Sequence, residues 1–437
     1  VIFDRKVVRH PSDHSSIYFD EFIERGNLHK QQEEVMRRTA LAQPDDIANI
    51  LYTSGTTGVS KGVVLTHKMY QAAMRENDNV LPLSENDVFL NFLPFTHVFE
   101  RGWAYLGISE GCHLAVNLWP ADILQSLQEV HPTCMCAVPR FWEKVYEGFL
   151  EKISHLSSIQ QQLFKKAMTT GRLYQIDYLS KGRKPPLWLK LKYKLLDSTI
   201  IEVLKKNIGL ERGNFFPVAG AAIAKEVEAF IHICGINIIC GYGLTESTAT
   251  VSCDRVGEPF SIGSVGRMLQ GVSVKIAEDN EILLKGDTIF KEYYRKPKET
   301  HDVIDSDGWF HTGDAGYVKN GELFLTDRIK DLYKTSNGKY IAPQQIESKL
   351  IVDRYIDQIV VIADKHKFVS ALIVPSYPLL EKYAGNHDIG YNSMTDLCNN
   401  KSIHEFLMER INTLQQDLAS FEQVKRFCLL AKPFSME

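Results

Sequence analysis

The sequence predicts an α/β protein with a large first domain ending at residue 326 and a separate small α+β domain over residues 333–437. Its 437 residues suffice for about two or three domains. In the first domain, apolar runs of strand length alternate with amphipathic stretches, which favours a mainly parallel sheet covered by helices. The apolar runs are Val88–Phe92, Cys112–Val116 and Thr133–Val138, and the amphipathic stretches are Met69–Arg75, Ala121–Val130 and Phe141–Ile153.

Shorter patterns complete the prediction outside this alternating region. A helix is expected around residues 17–38 with a break at Gly26, and residues 262–326, rich in short strands and turns, predict a β-rich subdomain. The strands predicted beyond residue 235 are Ile236–Cys240, Val272–Ile276, Glu281–Leu284, Glu322–Leu325, Ile359–Ala363 and Ala371–Pro375. The helices predicted in the small domain are Pro343–Leu350 and Ile403–Leu418.

Composition excludes several classes of protein. The net charge of −4 gives no overall attraction to nucleic acid. The eight cysteines are scattered without Cys-x-x-Cys spacing, which favours reduced thiols in a cytoplasmic protein over a disulfide framework or a zinc site. No apolar run approaches the roughly 20 residues of a membrane span. No pattern indicates an obligate protein partner.

Residues 181–206 form a basic section of helical periodicity, with eight lysines and arginines against two acids. Trp188, Leu191, Leu195 and Leu196 recur at helical spacing within it. Two interpretations stay open. The section is either a surface helix whose lysines extend into solvent, or a basic amphipathic face that rests on the inner surface of an anionic membrane.

The stretch Tyr52–Val63 has the chemistry of a phosphate cradle. It follows an apolar run and contains hydroxyl side chains, glycines whose N–H groups can approach a ligand closely, and the positive charge of Lys61. It differs from the P-loop because Gly55, Gly58 and Lys61 are spaced three apart. An ordinary glycine-rich turn is the alternative for this stretch taken alone.

Other short strings add polar groups at the ends of predicted strands. Val218–Ala222 is a small-residue turn that would let a flat base lie close, and Gly241–Glu246 places an aromatic ring, a hydroxyl and a carboxylate where ligands sit in parallel sheets. Trp309–Asp314 ends in a carboxylate suited to ribose hydroxyls, and Arg328 adds a charge. Leu93–Glu100 places His97 in a loop. Each string alone also fits an ordinary turn or packing contact.

Together and in this order, these short motifs resemble those of the AMP-forming acyl-CoA synthetases of the adenylate-forming superfamily. The resemblance extends from about Asp45 to the end of the chain. The long-chain fatty acid branch is indicated by Val138–Trp142, by the Phe99-Glu100-Arg101 ending and by the long helical section over residues 141–212. The resemblance implies a large adenylating domain over residues 1–326, a hinge over residues 327–332 and a small mobile domain.

The resemblance also implies roles for single residues. The catalytic residues would be Lys61, Thr56, Glu246 and His97, with Thr56 and Glu246 on Mg²⁺. Lys330 would be the hinge, and His97 and Gly338 would border the channel for CoA. The residues matching the ATP and AMP site are Thr53, Ser54, Gly55, Thr56, Thr57, Gly58, Lys61, Gly220, Ala221, Ala222, Gly241, Tyr242, Gly243, Thr245, Glu246, Asp314 and Arg328.

The implied reaction uses ATP, Mg²⁺, a fatty acid and CoA. The fatty carboxylate and ATP give acyl-AMP and pyrophosphate, and the CoA thiol then takes the acyl group and releases AMP. Two alternatives stay open: an acyl-AMP ligase that loads a carrier-protein thiol, and a non-catalytic module that binds adenine nucleotide.

The chain departs from the family pattern at both ends. Members carry a catalytic lysine some residues beyond a Pro-Phe-Ser/Thr motif, whereas here Pro433-Phe434-Ser435 lies just before Glu437 and Lys432 precedes it. The chain also begins at Val1, later than family members begin. We therefore expect a trimmed fragment whose adenylation activity is well below that of the longer protein.

Overall fold

The computed structural model describes residues 1–28, 31–53, 60–329, 333–334, 340–364, 366 and 368–434. The helices up to residue 329 are α1 (Phe19–Leu28), α2 (Gln32–Leu41), α3 (His67–Asp78), α4 (Val98–Ser109), α5 (Ile123–Val130), α6 (Pro139–Ser154), α7 (Ser158–Gly171), α8 (Leu187–Leu196), α9 (Glu202–Ile208), α10 (Lys225–Ile233) and α11 (Pro297–His301). Short 3₁₀ or π segments lie at Pro120–Asp122, Arg172–Tyr178, Leu179–Lys181, Asp197–Ile201 and Thr245–Ser247.

The strands of this region are β1 (Ile47–Thr53), β2 (Lys61–Thr66), β3 (Val88–Asn91), β4 (His113–Val116), β5 (Phe216–Val218), β6 (Ile238–Leu244), β7 (Ala249–Cys253), β8 (Arg267–Met268), β9 (Val272–Ile276), β10 (Glu281–Gly286), β11 (Phe310–Lys319) and β12 (Glu322–Arg328). Strands β1 and β2 form an antiparallel pair. Among the described residues, one sheet has the strand order β5-β6-β7-β8-β12-β11-β10-β9.

The predicted parallel layer is present, but the larger sheet is mixed. Strands β3 and β4 are parallel, as are β5 and β6, whereas β7 pairs antiparallel with β6. The expected strand Thr133–Val138 is represented in the described chain by single parallel bridges, at Cys134 to Phe89 and Phe215, and at Ala137 to Val218. These bridges connect β3 with β5, so the predicted order of elements is preserved.

The break predicted at Gly26 is wrong, because Gly26 lies inside helix α1. A Cβ atom at this position would meet nothing within 4 Å, and α1 has no buried residue among those described. An exposed glycine costs a helix about 1 kcal/mol relative to alanine, which is not enough to end it.

The region predicted as the small domain has a layer of strands covered by helices. Strand β15 pairs antiparallel with β16, and β16 pairs parallel with β17. Its elements are β13 (Tyr333–Lys334), β14 (Tyr340–Ile341), α12 (Pro343–Leu350), β15 (Ile356–Ile362), β16 (Val369–Pro375), α13 (Tyr377–Asn386), α14 (Met394–Cys398), α15 (Lys401–Leu414) and β17 (Val424–Leu429). Helix α12 has the predicted bounds and begins with a proline, whose fixed φ suits a first helical turn.

The region predicted as a hinge is only partly described. Asp327 and Arg328 continue strand β12 of the large sheet, while Lys330 lies outside the described residues. Arg140 of α6 contacts β15 of the small domain, with its Nη2 atom 2.7 Å from Asp357 Oδ1. The hinge and the domain division stay predictions. Within the ranges given above, no helix has both the length and the apolar character that a membrane span requires.

The core of the small domain provides a direct test of its packing. Leu407 on α15 is fully buried in a cluster with Leu350 and Ile373. We expect Leu407→Ala to lower the free energy of unfolding by about 2–5 kcal/mol, because it leaves a cavity. Leu191→Ala on α8 is the matched control: its side chain is exposed, so the change should stay within about 0.5 kcal/mol. Urea unfolding followed by circular dichroism measures both, and equal effects would contradict the assigned burial.

Candidate active site

Strand ends bring most of the described candidate residues to one cavity of about 830 Å³. Thr53, at the end of β1, lies opposite Lys61, at the start of β2. Strand β6 carries Tyr242 and leads directly into the turn Thr245–Ser247. The candidates that line the cavity are Thr53, Lys61, His97, Gly220, Gly241, Tyr242, Gly243, Thr245, Glu246 and Arg328.

Several candidates lie elsewhere or cannot be placed. Ala221 and Ala222 are exposed and do not line the cavity, although Gly220 beside them does. The turn that they form after β5 continues outward into solvent. The candidates that fall outside the described residues are Ser54, Gly55, Thr56, Thr57, Gly58, Lys330 and Gly338.

Glu246 is held by a tyrosine that the sequence patterns did not single out. The hydroxyl of Tyr293 donates a hydrogen bond of 2.8 Å to Glu246 Oε1. The Lys61 ammonium lies 4.9 Å from the centre of the Tyr293 ring, within cation–π range. Tyr293 therefore contacts the candidate cation and the candidate carboxylate at once, and links β2 to the turn after β6.

The position of Glu246 changes its acidity. Burial raises the pKa of the Glu246 carboxyl above its ordinary value. The Tyr293 hydroxyl and the positive charge of Lys61 oppose this rise, since both favour the ionised form. Within the described ranges no group of three or more His, Cys, Asp or Glu side chains could hold a metal ion. Thr56, the other residue predicted to bind Mg²⁺, lies outside the described residues.

Asp314 is fixed by groups from two strands. The Tyr242 hydroxyl donates a hydrogen bond of 2.6 Å to Asp314 Oδ2, and Arg328 Nε lies 3.5 Å from Asp314 Oδ1. Asp314 and Arg328 also face each other in the β11–β12 pairing. Burial and the nearby Asp314 carboxylate raise the pKa of Tyr242 well above its ordinary value, so this hydroxyl stays a donor. Of this pair, Arg328 lines the cavity, whereas the candidate Asp314 is buried and is not among the lining residues.

The tight pairing of β6 and β7 explains the glycine at position 243. A Cβ atom there would lie 1.4 Å from the carbonyl oxygen of Ala249, a distance that no side chain can occupy. The glycine therefore has a packing role in the sheet in addition to lining the cavity. Gly241 is less constrained, since its added Cβ would lie 3.1 Å from the Ser252 carbonyl oxygen.

Beyond the polar groups, the cavity continues along apolar faces of α3 and α4. We refer to this part as the apolar arm. On each helix the lining residues recur at i, i+3, i+4 and i+7, the spacing of one helical face. They are Tyr70, Ala73, Met74 and Asn77 on α3, and Phe99, Gly102, Trp103 and Leu106 on α4, with Leu81 beyond α3. His97, the residue that precedes α4, is exposed and also lines the cavity.

The sequence patterns also missed Gly102 and the Glu281–His311 pair. Gly102 faces the cavity, and an added Cβ would make only an ordinary contact of 3.7 Å with Ala249. Glu281 bonds His311 Nδ1 at 2.7 Å and accepts the Gly313 N–H at 2.8 Å. A helical reading of Val98–Ser109 would have shown the i, i+3, i+4 face, whereas no sequence pattern pointed to Tyr293.

Comparisons with known protein sequences give consistent matches. A family model described as AMP-binding enzyme matches residues 3–294. Long chain acyl-CoA synthetase 7, a peroxisomal protein of Arabidopsis thaliana, is 30% identical over 418 residues, covering 90% of this chain and 57% of its own length. Probable CoA ligase CCL6 of Humulus lupulus is 30% identical over 449 residues, covering 97% of this chain and 65% of its own length. The chain thus spans less than two thirds of these relatives.

Solved structures share the fold. The adenylation domain of a carboxylate reductase from Mycobacterium chelonae superposes with a TM-score of 0.69 at 20% identity, covering 90% of this chain and 56% of that one. O-succinylbenzoate coenzyme A synthetase of Bacillus subtilis, in complex with ATP and magnesium ion, gives a TM-score of 0.59 at 21% identity, covering 90% of this chain and 68% of that one. The predicted α/β class is therefore confirmed.

The contact between Tyr293 and Glu246 generates a titration test. Because the tyrosine hydroxyl favours the ionised carboxylate, Tyr293→Phe should raise the pKa of Glu246 further. Carboxyl ¹³C NMR titration, with the resonance assigned through Glu246→Gln, measures the shift. Tyr294→Phe is the matched control, since the Tyr294 ring lies over Arg295. An unchanged or lowered pKa in Tyr293→Phe would contradict the hydrogen bond.

Proposed function

This chain belongs to the AMP-binding enzyme family, and we propose that it activates a long-chain fatty acid with ATP and passes the acyl group to the thiol of CoA. One observation carries the proposal: the polar strand ends and the apolar arm line the same cavity. A carboxylate at the junction of the two parts could meet a nucleotide phosphate while its hydrocarbon chain follows the helices.

We assign the nucleotide to the polar end of the cavity. Lys61 and Thr53 would contact the phosphates together with the glycine-rich stretch that follows Thr53, and Thr245 would contact the α-phosphate. Asp314 and Arg328 would bind the ribose hydroxyls, because a fixed carboxylate accepts two O–H donors. The base would lie between the β5 turn at Gly220 and the Tyr242 backbone, where glycines leave space.

Glu246 is suited to assist a Mg²⁺ ion that arrives with ATP. Mg²⁺ in nucleotide sites is usually bound by one or two carboxylates together with phosphate oxygens and water. Thr56, which the resemblance pairs with Glu246 on Mg²⁺, would be a second protein ligand. When bound, the ion would supply positive charge at the phosphates. The role of Tyr293 is to hold the Glu246 carboxylate in place and to keep it more acidic.

The proposed reaction has two displacements. A carboxylate oxygen of the fatty acid attacks the α-phosphorus, the bond to the β-phosphate oxygen breaks, and pyrophosphate leaves. The CoA thiolate then attacks the acyl carbonyl, and AMP leaves with the electrons of the C–O bond. No covalent bond to the protein is required. The residues named above act by positioning the reactants and neutralising phosphate charge.

The apolar arm favours a long hydrocarbon chain as substrate. Each buried CH₂ group contributes about 0.8 kcal/mol to binding. Ala73, Gly102 and Leu106, on the faces of α3 and α4, would offer apolar contact to such a chain. His97 lies before the first turn of α4, where the acyl carbonyl and the incoming thiol would meet. The cytoplasmic location stays a prediction.

Two assays separate this function from its alternatives. Palmitate-dependent exchange of labelled pyrophosphate into ATP, measured with the full-length protein, would demonstrate adenylation. Tight binding of a palmitoyl sulfamoyl-adenosine, a non-hydrolysable acyl-adenylate analogue, without any exchange would favour a non-catalytic nucleotide-binding module instead. Release of AMP with CoA, compared with the phosphopantetheine form of a carrier protein, then identifies the acceptor thiol.

The apolar arm makes a sharper prediction for substrate choice. Gly102→Leu should place a side chain in the arm and lower the affinity for the palmitoyl analogue at least tenfold, about the contribution of two buried CH₂ groups. Affinity for ATP and for the acetyl analogue should be unchanged. Isothermal titration calorimetry measures all three ligands.

Gly148→Leu on α6 is the matched control, because it makes the same change on a helix where an added Cβ meets nothing within 4 Å. It should leave all three affinities unchanged. If wild type bound palmitoyl and acetyl analogues equally, or if Gly102→Leu weakened ATP to the same extent, the assignment of the arm to the acyl chain would be wrong.

A further inference from the structure

Helix α8 turns an apolar face towards solvent. Leu187, Trp188, Leu191 and Leu195 are 72%, 59%, 61% and 65% exposed. Each residue of an α-helix is rotated about 100° from the one before it, so these four side chains fall within about 100° of the helix circumference and form a continuous apolar surface. We call it the α8 outer face. Single exposed apolar residues are ordinary, but a contiguous row on one helix marks an interaction surface.

The orientation of α8 is fixed by its opposite side. Leu189, Tyr193 and Leu196 are buried. The Tyr193 ring stacks on Tyr174 at 4.3 Å between centroids, and its hydroxyl accepts a hydrogen bond of 3.0 Å from Gln175 Nε2. Because these contacts hold the helix against the protein, turning the outer face inward would expose an equally apolar set of residues.

Basic side chains border the α8 outer face on both sides. On the helical circle Lys192 lies at one edge, and Lys190 and Lys194 lie at the other; all three are exposed. Residues 178–196 contain six lysines and arginines and no acid, in a chain whose net charge is −4. Asp197, the next acid along the chain, lies 3.5 Å from Lys205 and is half-buried.

We propose that the α8 outer face docks on an anionic lipid membrane, with the leucines and Trp188 entering the boundary between headgroups and acyl chains. An apolar stripe with lysines on its edges is the composition of helices that lie in the plane of a membrane interface. Lysines can extend along the stripe and place their charges at the headgroups. Tryptophan favours the same boundary, since its ring is apolar and its N–H is polar.

A membrane fits the charge distribution better than a second protein does. A protein partner would have to supply acidic groups on both sides of an apolar groove, whereas an anionic bilayer offers negative charge all around the inserted stripe. Docking would bring the protein to the membrane, in which long-chain fatty acids dissolve, and this benefit rests on the proposed function. Membrane binding itself needs neither ATP nor a fatty acid. Failure of this proposal is therefore distinguishable from failure of the proposed function.

Vesicle flotation tests the docking without any substrate. We expect wild type to float with vesicles containing phosphatidylglycerol and to bind pure phosphatidylcholine much less. Lys190/Lys192/Lys194→Glu should lower partitioning to the anionic vesicles at least a hundredfold. Each lysine near an anionic surface contributes about 1 kcal/mol to the free energy of binding, and 1.4 kcal/mol corresponds to about a tenfold change in partitioning. Repulsion between the new glutamates and the lipid headgroups adds to this loss. Lys319/Lys382/Lys401→Glu is the matched control: it changes the net charge equally at exposed sites elsewhere and should lower partitioning far less.

The apolar contribution is tested by substitution and by quenching. Leu191→Ser with Leu195→Ser should reduce flotation even with the lysines present, while circular dichroism stays unchanged because both side chains are exposed. Lipids brominated on their acyl chains should quench tryptophan fluorescence in wild type, and Trp188→Phe should remove most of this quenching.

The opposite results would overturn the proposal. Equal flotation of wild type and the α8 lysine variant would do so, as would quenching that persists in Trp188→Phe. Sedimentation velocity without lipid tests whether a second copy of this chain covers the α8 outer face instead. A wild-type dimer that becomes monomeric with Leu191→Ser and Leu195→Ser, together with no flotation, would assign the face to a second copy of this chain.

Discussion

The hydrogen bond between Tyr242 and Asp314 requires the large sheet to curl. Tyr242 lies on β6 and Asp314 on β11, and β7, β8 and β12 lie between these strands in the sheet. Neighbouring strands are about 4.8 Å apart, so a flat sheet would separate β6 from β11 by roughly 19 Å. A bond of 2.6 Å between their side chains is compatible only with a sheet that bends back on itself.

This curl accounts for the site. It brings the end of the parallel strands, with Glu246, towards the antiparallel part that carries Arg328. The buried cluster between them includes Val63, Val251 and Leu323 from separate strands, so ordinary apolar packing stabilises the curled form. Gly243 allows β6 and β7 to approach closely. The helices α3 and α4 then continue the cavity as an apolar arm, and the polar and apolar halves share one space.

Much of this could be predicted from short strings of residues. The family resemblance carried by these strings predicts roles for Lys61, Glu246 and Arg328, and the structure places all three on one cavity. The sequence patterns predict helices α3, α5, α6, α12 and α15 and strands β3, β4, β9 and β10 within a few residues. The break at Gly26 was wrong because a local cost of about 1 kcal/mol does not decide the end of a helix.

The remaining features depend on contacts between distant segments. Tyr293 lies 47 positions from Glu246 in the chain, and no local pattern distinguishes it from Tyr294 beside it. The sequence patterns predict no helix over Val98–Ser109, so they do not show that Gly102 faces the arm; His97, predicted in a loop, precedes this helix. The expected strand Thr133–Val138 is reduced to single bridges, since strand length depends on its neighbours as well as on its own residues.

One cavity is proposed to receive the adenylate at its strand ends and a long acyl chain between α3 and α4. A palmitoyl sulfamoyl-adenosine that carries a diazirine at the end of its chain would probe both parts of the cavity at once. After irradiation, mass spectrometry should locate the label on Met74, Leu81, Trp103 or Leu106, and excess ATP should suppress labelling. A label on α8 or in the small domain, or labelling that ATP does not reduce, would contradict the account.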